Sequence, residues 1–583
     1  MKKWLSLILC LVTVLSLTAC GTKDDTPSQG RGKIQLTYWA VINENNHAVT
    51  QQLVDKFNET NERYTVKLVP KTTGYSASLG GILKGKTPPN IVQVDERYFK
   101  QYVNEGYLAS MDSFIQSSNY DLSDFWETTV ERFRYNPETG YSGGDNPLYA
   151  LPSNMDPAVL FYNATALKEG GVNIISVAEN QVADYNAQNG TKYLAKAFQV
   201  YDTAPAEGLT AKNGKYYVYN NQIPMSWDEL IEISKLFTKS YNPSAPTNYG
   251  FFNEWWFSFG WGVGGDCLEW DESKGQYVFA LGEETDNYLV TGKDGITVNG
   301  NHYEEGELLS HTDKHYVAEV LSNTGHADYA TVKGYVDGQN LYALPSIRDA
   351  FELFLQLPQS KDKIVTDGVE GLAVSPTPTI IGNKSKTNLL TSNEVAFVSD
   401  AYSVAYNLGK AMEALGKDWD VAPMYQYREY DSDGRLKTVN GTPVVGKLST
   451  HSNSSGFAIP SNSKHQEGAW EFIQFMAGPE AQAIMMKTNA VPNQKSLANS
   501  AEFLNCTENY FPKNTAAVTM LAECSSVGDW SYLENGEWVS VWANVLNTDV
   551  RNGVMTLDEF FSHSCIEQTN EMLKTYKAKK YTG

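Results

Sequence analysis

The sequence predicts an α/β protein built on open, largely parallel sheets and large enough to form more than one hydrophobic core. Three observations carry that expectation. The chain opens with strand, helix and strand periods in succession. Later apolar runs of strand length are again followed by helical periodicity. And 583 residues with 42% hydrophobic content exceed what one core organises.

Residues 33–41 alternate Ile34, Leu36 and Tyr38 against Lys33, Gln35 and Thr37, a strand period with Trp39 near its carboxyl end. Val49, Leu53 and Phe57 then recur every four residues, as one face of a helix does. Tyr64, Val66 and Leu68 alternate again until Pro70. A third strand at 90–95 follows Pro88 and Pro89 and leads into a helix carrying Tyr98, Tyr102 and Val103. The unit is β-α-β with a continuation, which calls for a parallel sheet.

A second α/β region opens with the apolar strand 158–163, and Ser226 with Glu229 forms a capping box ahead of a helical run. Strands follow at 395–399, 419–425 and 456–460, the first running into Asp400 and a helix from Tyr402. After the last, Ala469, Phe472, Ile473 and Met476 line one side of a helix. Residues 171–222 and 282–345 are polar and weakly periodic and read as insertions.

The N-terminus carries Lys2 and Lys3, an apolar run from Trp4 to Leu17, and then Thr18, Ala19 and Cys20. This is a secretory signal ending in a lipobox, and it is shorter than the roughly 18 apolar residues of a membrane span. Residues 1–19 are therefore expected to leave as a signal peptide, with a lipid on Cys20 and residues 20–32 as a polar tether. The expected location is extracytoplasmic, anchored to the cell membrane.

With 46 basic residues, two of them in the leader, against 68 acidic ones, the chain repels nucleic acid. Beyond Cys10 and Cys20 only Cys267, Cys506, Cys524 and Cys565 remain, with no C-x-x-C spacing. Cys506 and Cys524 suit either one bridge or two free thiols. No cofactor and no metal site is expected: His311 and His315 sit in a polar HTDKH segment, and 431–434 is a turn lacking the later ligands of a calcium loop. GYSGG at 140–144 has the spacing of a hydrolase nucleophile but turn residues on both sides, so Ser142 reads as a loop serine.

Ligands of open parallel sheets sit beyond the carboxyl ends of strands, which here present Trp39, then Asp95, Glu96 and Arg97, and later Asp400.

Several separated blocks resemble the extracellular sugar-binding proteins of ABC importers, the group that contains maltodextrin-binding protein. They are the first strand ending in YWA with its helix ending in KFNETN, PPNIVQVDERYFKQYVNEGYLASMDSFI, YALPSNMDPAVLFYN, MSWDELIEISKLFT, FNEWWFSFGWGVGGD, EVAFVSDAYSVAYNL, DWDVAPMY, GFAIPSNSKHQEGAWEFIQFMAGPEAQ and NAVPNQ, in the family's order. The resemblance implies a two-lobed, class II periplasmic-binding-protein-like fold with hinged lobes around a ligand cleft. The first lobe would combine 33–150 with 446–495, the second 151–445 with 496–583. It also implies a monomer that delivers a sugar, an oligosaccharide by expectation, to separate permease subunits without transforming it. The chain is longer than the usual member through its two insertions, which puts the ligand's size in doubt.

A sugar ring needs flat aromatic platforms for its C–H faces and fixed polar groups for its hydroxyls. The resemblance places an aromatic platform in the segment of Trp256 and Trp261 and further surfaces near Tyr402, Trp538 and Trp542. Trp39 joins them as a strand-end residue. For each of these the competing role is core packing. Asp95, Arg97, Asp156, Asp266 and Asp400 are the polar candidates, with a turn cap as the competing role of Asp266. A secreted glycoside hydrolase, or a peptide-binding or adhesin lipoprotein, are the alternatives.

Overall fold

A computed structural model describes residues 32–72, 74–271, 273–298, 301–310, 340–508, 510–528 and 531–577. Two sheets, each with its own core, organise them. The first has five strands in the order Tyr64–Lys71, Ile34–Val41, Ile91–Asp95, Ser455–Ala458 and Ala150–Pro152. Its first three strands are parallel, and Ser455–Ala458 runs antiparallel to both neighbours. Leu36, Tyr38 and Ala40 point into a core shared with Leu53, Val54 and Phe57 of the helix His47–Thr60 and with Phe472 and Ile473 of the helix Gln466–Ala477. Phe472 is the pivot: its ring meets Tyr38 at 5.2 Å and Phe57 edge-on at 5.1 Å.

The second sheet runs Tyr249–Phe252, Val395–Ala401, Asp156–Tyr162, Thr450–Asn453 and Ser525–Ser526, with Asp420–Ala422 also paired to Asp156–Tyr162. That central strand is covered on both faces, which is why Val159, Leu160, Phe161 and Tyr162 form an unbroken buried run rather than an alternating one. Gly250 lets the edge strand lie against the helix Trp227–Leu236, since a Cβ there would stand 2.2 Å from the Ser234 Cα. The capping box expected at Ser226 and Glu229 starts that helix.

Three segments cross between the sheets. Residues 153–155 join Ala150–Pro152 to Asp156–Tyr162, Ser454 alone separates Thr450–Asn453 from Ser455–Ala458, and the stretch after Met486–Thr488 returns beside Met155 through a bridge to Val491. The sequence reading put the return to the first lobe at 446, whereas the strand Thr450–Asn453 pairs in the second sheet and the change of sheet falls at Ser454. A one-residue crossing leaves no composition shift to read.

Both insertions carry sheets of their own. In 171–222 the strand Tyr216–Asn220 lies between Val172–Ile175 and Phe198–Tyr201 and packs Val218 and Tyr219 onto the second core. In 282–345, Tyr288, Val290, Leu309 and Leu341 make a small separate core. Strands of two to five residues are too short to show a period, so the sequence read them as irregular. His311, His315, Cys20 and the tether expected at 20–32, but for its last residue, lie outside the described residues.

Candidate functional site between the lobes

The strand Ile34–Val41 ends in a loop whose asparagines close on one another: Asn43 Oδ1 accepts the backbone N–H groups of Asn45 (2.9 Å) and Asn46 (3.0 Å), and Asn46 Oδ1 accepts that of Asn43 (2.9 Å). This fixes Asn45 so that its Nδ2 donates to the Thr488 carbonyl at 2.6 Å, joining the loop to the third crossing segment. Beside it, Gln93 accepts from the Val41 N–H (2.9 Å) and donates to Ser455 Oγ (2.7 Å), which meets Ser153 Oγ at 2.7 Å. Strand end and two crossings are thus tied by one hydrogen-bonded chain.

These groups wall a cavity of about 190 Å³ completed from the second lobe by Asp156, Tyr402 and Ser403. Asp156 opens the central strand of the second sheet and is only 8% exposed; its two oxygens accept from the Ser403 N–H and Oγ, both at 2.8 Å. Burial pushes its carboxyl up to about 6, with the Ser403 bonds pulling the other way and nearby Asp400 adding repulsion. Tyr402 is buried and its hydroxyl bonds to Asn489 of the third crossing. Among the described residues, no lysine or arginine lines this cavity.

At the other edge of the lobe contact lies a buried charged group of which only Glu96 is among the strand-end residues of the sequence. Arg132 pairs with Glu96 and donates to the Ser452 carbonyl, and Lys100 donates to the carbonyls of Ser531 and, at 2.6 Å, Leu533. Burial raises Glu96 to about 7 and lowers Lys100 to about 7. Lys100 sits beside Phe99, Tyr102 and Val103 on the inner face of the helix Glu96–Asn104. A lysine at such a position reads as solvated until the second lobe is seen to cover it.

Of the sequence candidates, Asp156 and Tyr402 line the cavity together. Asp95 instead caps the helix Glu96–Asn104 and holds Arg97 through Nε (2.9 Å) and Nη2 (2.7 Å). Trp39 is half-buried, with Lys71 Nζ 3.5 Å from its ring centroid, so an ammonium already covers that face. Asp400 pairs with Lys386 at 3.1 Å. Asp266 accepts from Trp261 Nε1 and the Cys267 N–H, both at 2.9 Å, the capping role weighed for it.

Trp261 lies on Phe257 with centroids 4.6 Å apart. Trp256, Trp538 and Trp542 are 1%, 0% and 1% exposed and present no face to a ligand; they take the core role. The two in the helix Glu537–Val545 stand four residues apart on its inner side, and Trp542 meets Phe279 at 5.0 Å. Asn43 and Asn45, in the loop after the strand Ile34–Val41, and Gln93, inside the strand Ile91–Asp95, are not among the sequence candidates, although the position after a strand end was the available signal for the two asparagines.

Residues 52–509 match the model of the bacterial extracellular solute-binding protein family. The chain belongs to that family. Relatives of this solute-binding protein include the sn-glycerol-3-phosphate-binding periplasmic protein of Rhizobium meliloti (strain 1021), 26% identical over 25% of this chain and 33% of the relative. The arabinooligosaccharide-binding protein of Bacillus subtilis (strain 168) is 26% identical over 30% of this chain and 38% of the relative. The chain thus spans little more than a third of these relatives' length.

Among solved structures, the fold is shared with an ABC substrate-binding protein from Listeria monocytogenes in complex with cycloalternan (TM-score 0.52, 14% identity, 93% of this chain and 99% of that one). It is shared equally with the cyclic α-maltosyl-1,6-maltose binding protein from Arthrobacter globiformis (TM-score 0.53, 13% identity, 93% and 100%). The solute-binding protein thus has the two-lobed α/β architecture expected from its sequence. Among the described residues no helix is long and apolar enough to cross a membrane, no group of three or more candidate ligands is placed to hold a metal ion, and Cys267, Cys506, Cys524 and Cys565 are free thiols.

Proposed function

We propose that this solute-binding protein captures an uncharged saccharide between its lobes and passes it unchanged to the permease of an ABC importer. The observation that carries the reading is the polar part of the interlobe lining: carboxamides, hydroxyls and one buried carboxylate beside apolar residues such as Ile42 and Met485, with no lysine or arginine among the described residues that line it. Such a set pairs sugar hydroxyls and offers nothing to neutralise a phosphate. That favours the saccharide over the glycerol phosphate named for one relative. At about 190 Å³ the cavity lies below the roughly 300–1,000 Å³ of small-molecule pockets, so an oligosaccharide enters only when the lobes swing apart about Ser153–Met155, Ser454 and the stretch near Val491. Closure follows from tighter binding to the closed form. The remaining parts of the proposal are a monomer tethered through a lipid on Cys20 and the absence of catalysis.

Thermal-shift scans against neutral oligosaccharides and sn-glycerol 3-phosphate test it, with analysis of the recovered ligand. A rise in melting temperature with an intact neutral oligosaccharide is expected. A rise with the phosphate alone, or shortened products, would falsify the reading. Cys20→Ser is expected to move the protein from the membrane fraction to the medium.

A further inference from the structure

We propose that the 282–345 insertion builds a second saccharide site on the second lobe, apart from the interlobe cavity. The assignment takes its ligand class from the function proposed above. Tyr342 to Pro345, at the insertion's end, form one wall of a cavity of about 500 Å³ that shares no residue with the interlobe one. Facing contributions come from Trp227, Tyr427 and Glu429, and from Asp349 and Leu353 of the helix Ile347–Gln356. Its volume falls within the range of small-molecule pockets.

The lining combines aromatic rings and apolar groups for C–H faces with oriented acceptors for hydroxyls. Trp227 and Tyr427 stand edge to face at 5.1 Å. Glu429 accepts from the hydroxyls of Tyr427 (2.6 Å) and Tyr342 (3.0 Å) and from Lys437 Nζ (2.7 Å), which fixes its carboxylate. Asp349 accepts from the Ser346 N–H and Oγ, both at 2.9 Å, at the N-terminus of its helix.

Two of the three acids that line the cavity are compensated where they stand, Glu429 by Lys437 and Asp349 by the helix end, and the third, Asp286, is buried. What they offer is acceptor capacity rather than an open negative field, which suits a hydroxylated ligand better than an organic cation. One of the cavity's ring faces, that of Tyr342, already carries Lys437 at 4.7 Å.

Equilibrium dialysis of the full chain with maltoheptaose and with arabino-octaose tests the proposal, and tetramethylammonium serves as the cationic probe. Two equivalents per chain are expected for one of the saccharides. Tyr342→Ala should weaken one of them about tenfold or more and leave the other, while Asp156→Asn should do the reverse. If Tyr342→Ala folds poorly, Tyr342→Phe keeps the ring and removes the hydroxyl that holds Glu429 at 3.0 Å, with the same site expected to weaken. A single equivalent, lost with Asp156→Asn and untouched by both cavity variants, overturns the second site while leaving the interlobe reading intact. No binding of either saccharide overturns both. Binding of tetramethylammonium that Tyr342→Ala abolishes, with saccharides binding only between the lobes, overturns the ligand class.

Discussion

The interlobe cavity mixes polar and apolar residues, whereas the tryptophan cluster of the second lobe is packed core. The cavity is built from strand-end loops and crossing segments, with asparagine, glutamine and serine side chains committed to backbone groups and one buried acid. The cluster is built from Trp256, Trp538 and Trp542, buried among helices, with Trp256 and Trp261 packed at 5.9 Å. In this protein a tryptophan signals packing, and polar residues at strand ends and crossing segments, with Gln93 inside its strand, signal the site.

The sharpest way to break that contrast is Trp256→Ala. Emptying so large a buried volume should cost about 3–5 kcal/mol of stability, seen as a large fall in melting temperature. The affinity of the protein that remains folded should hardly change. A variant with normal melting and lost binding would return Trp256 to the cleft.

Asp156→Asn is the complementary change. Exchanging a charged acceptor for a neutral one should weaken ligand binding by about 1.5–3 kcal/mol, measured by titration calorimetry. Its stability effect has a definite sign. The folded carboxyl, held near 6 against 3.8, keeps its proton over that interval while the unfolded one has lost it, so Asp156 makes stability fall as pH rises from about 4 to 6. The Asn variant should lack that share of the fall, with melting curves at pH 4 and 7 as the measurement.

Gly260→Ala probes the cluster more gently. Its Cβ would stand 2.4 Å from the Trp256 ring and 2.5 Å from Ile347, so overpacking should cost about 1–3 kcal/mol while binding persists.

What was legible in the sequence follows the same division. The strands at 34–41, 64–71 and 91–95 and the helix face of Val49, Leu53 and Phe57 were readable because one side of each element is buried and the period shows. Asp156 was readable as a polar candidate, because a charged acceptor pairs sugar hydroxyls more strongly than a neutral one. Asn45 and Gln93 were not, because their roles come from partners at Thr488 and Ser455, hundreds of residues away. Trp538 and Trp542 misdirect for a related reason: the same four-residue spacing serves a platform or a core, and only the covering layer decides. The charged group at Arg132 and Lys100 needs both lobes before its burial can be seen.

That group supplies an effect confined to alkaline pH. Burial lowers Lys100 to about 7 from 10.5, Glu96 opposing the shift and Arg132 adding to it. Between those values the unfolded chain holds a proton that the folded chain has released, so this lysine makes stability rise with pH from 7 to 10. Glu96, raised to about 7 from 4.5, acts below that window and with the opposite sign. Lys100→Met should therefore remove a rise confined to alkaline pH, so the wild-type melting temperature should gain a few degrees on the variant's between pH 7 and 10. Because Lys100 reaches the carbonyls of Ser531 and Leu533 across the lobe contact, the gain should shrink in any condition that holds the lobes open. A gain of equal size with the lobes held open would place the lysine's burial within the first lobe and detach it from closure.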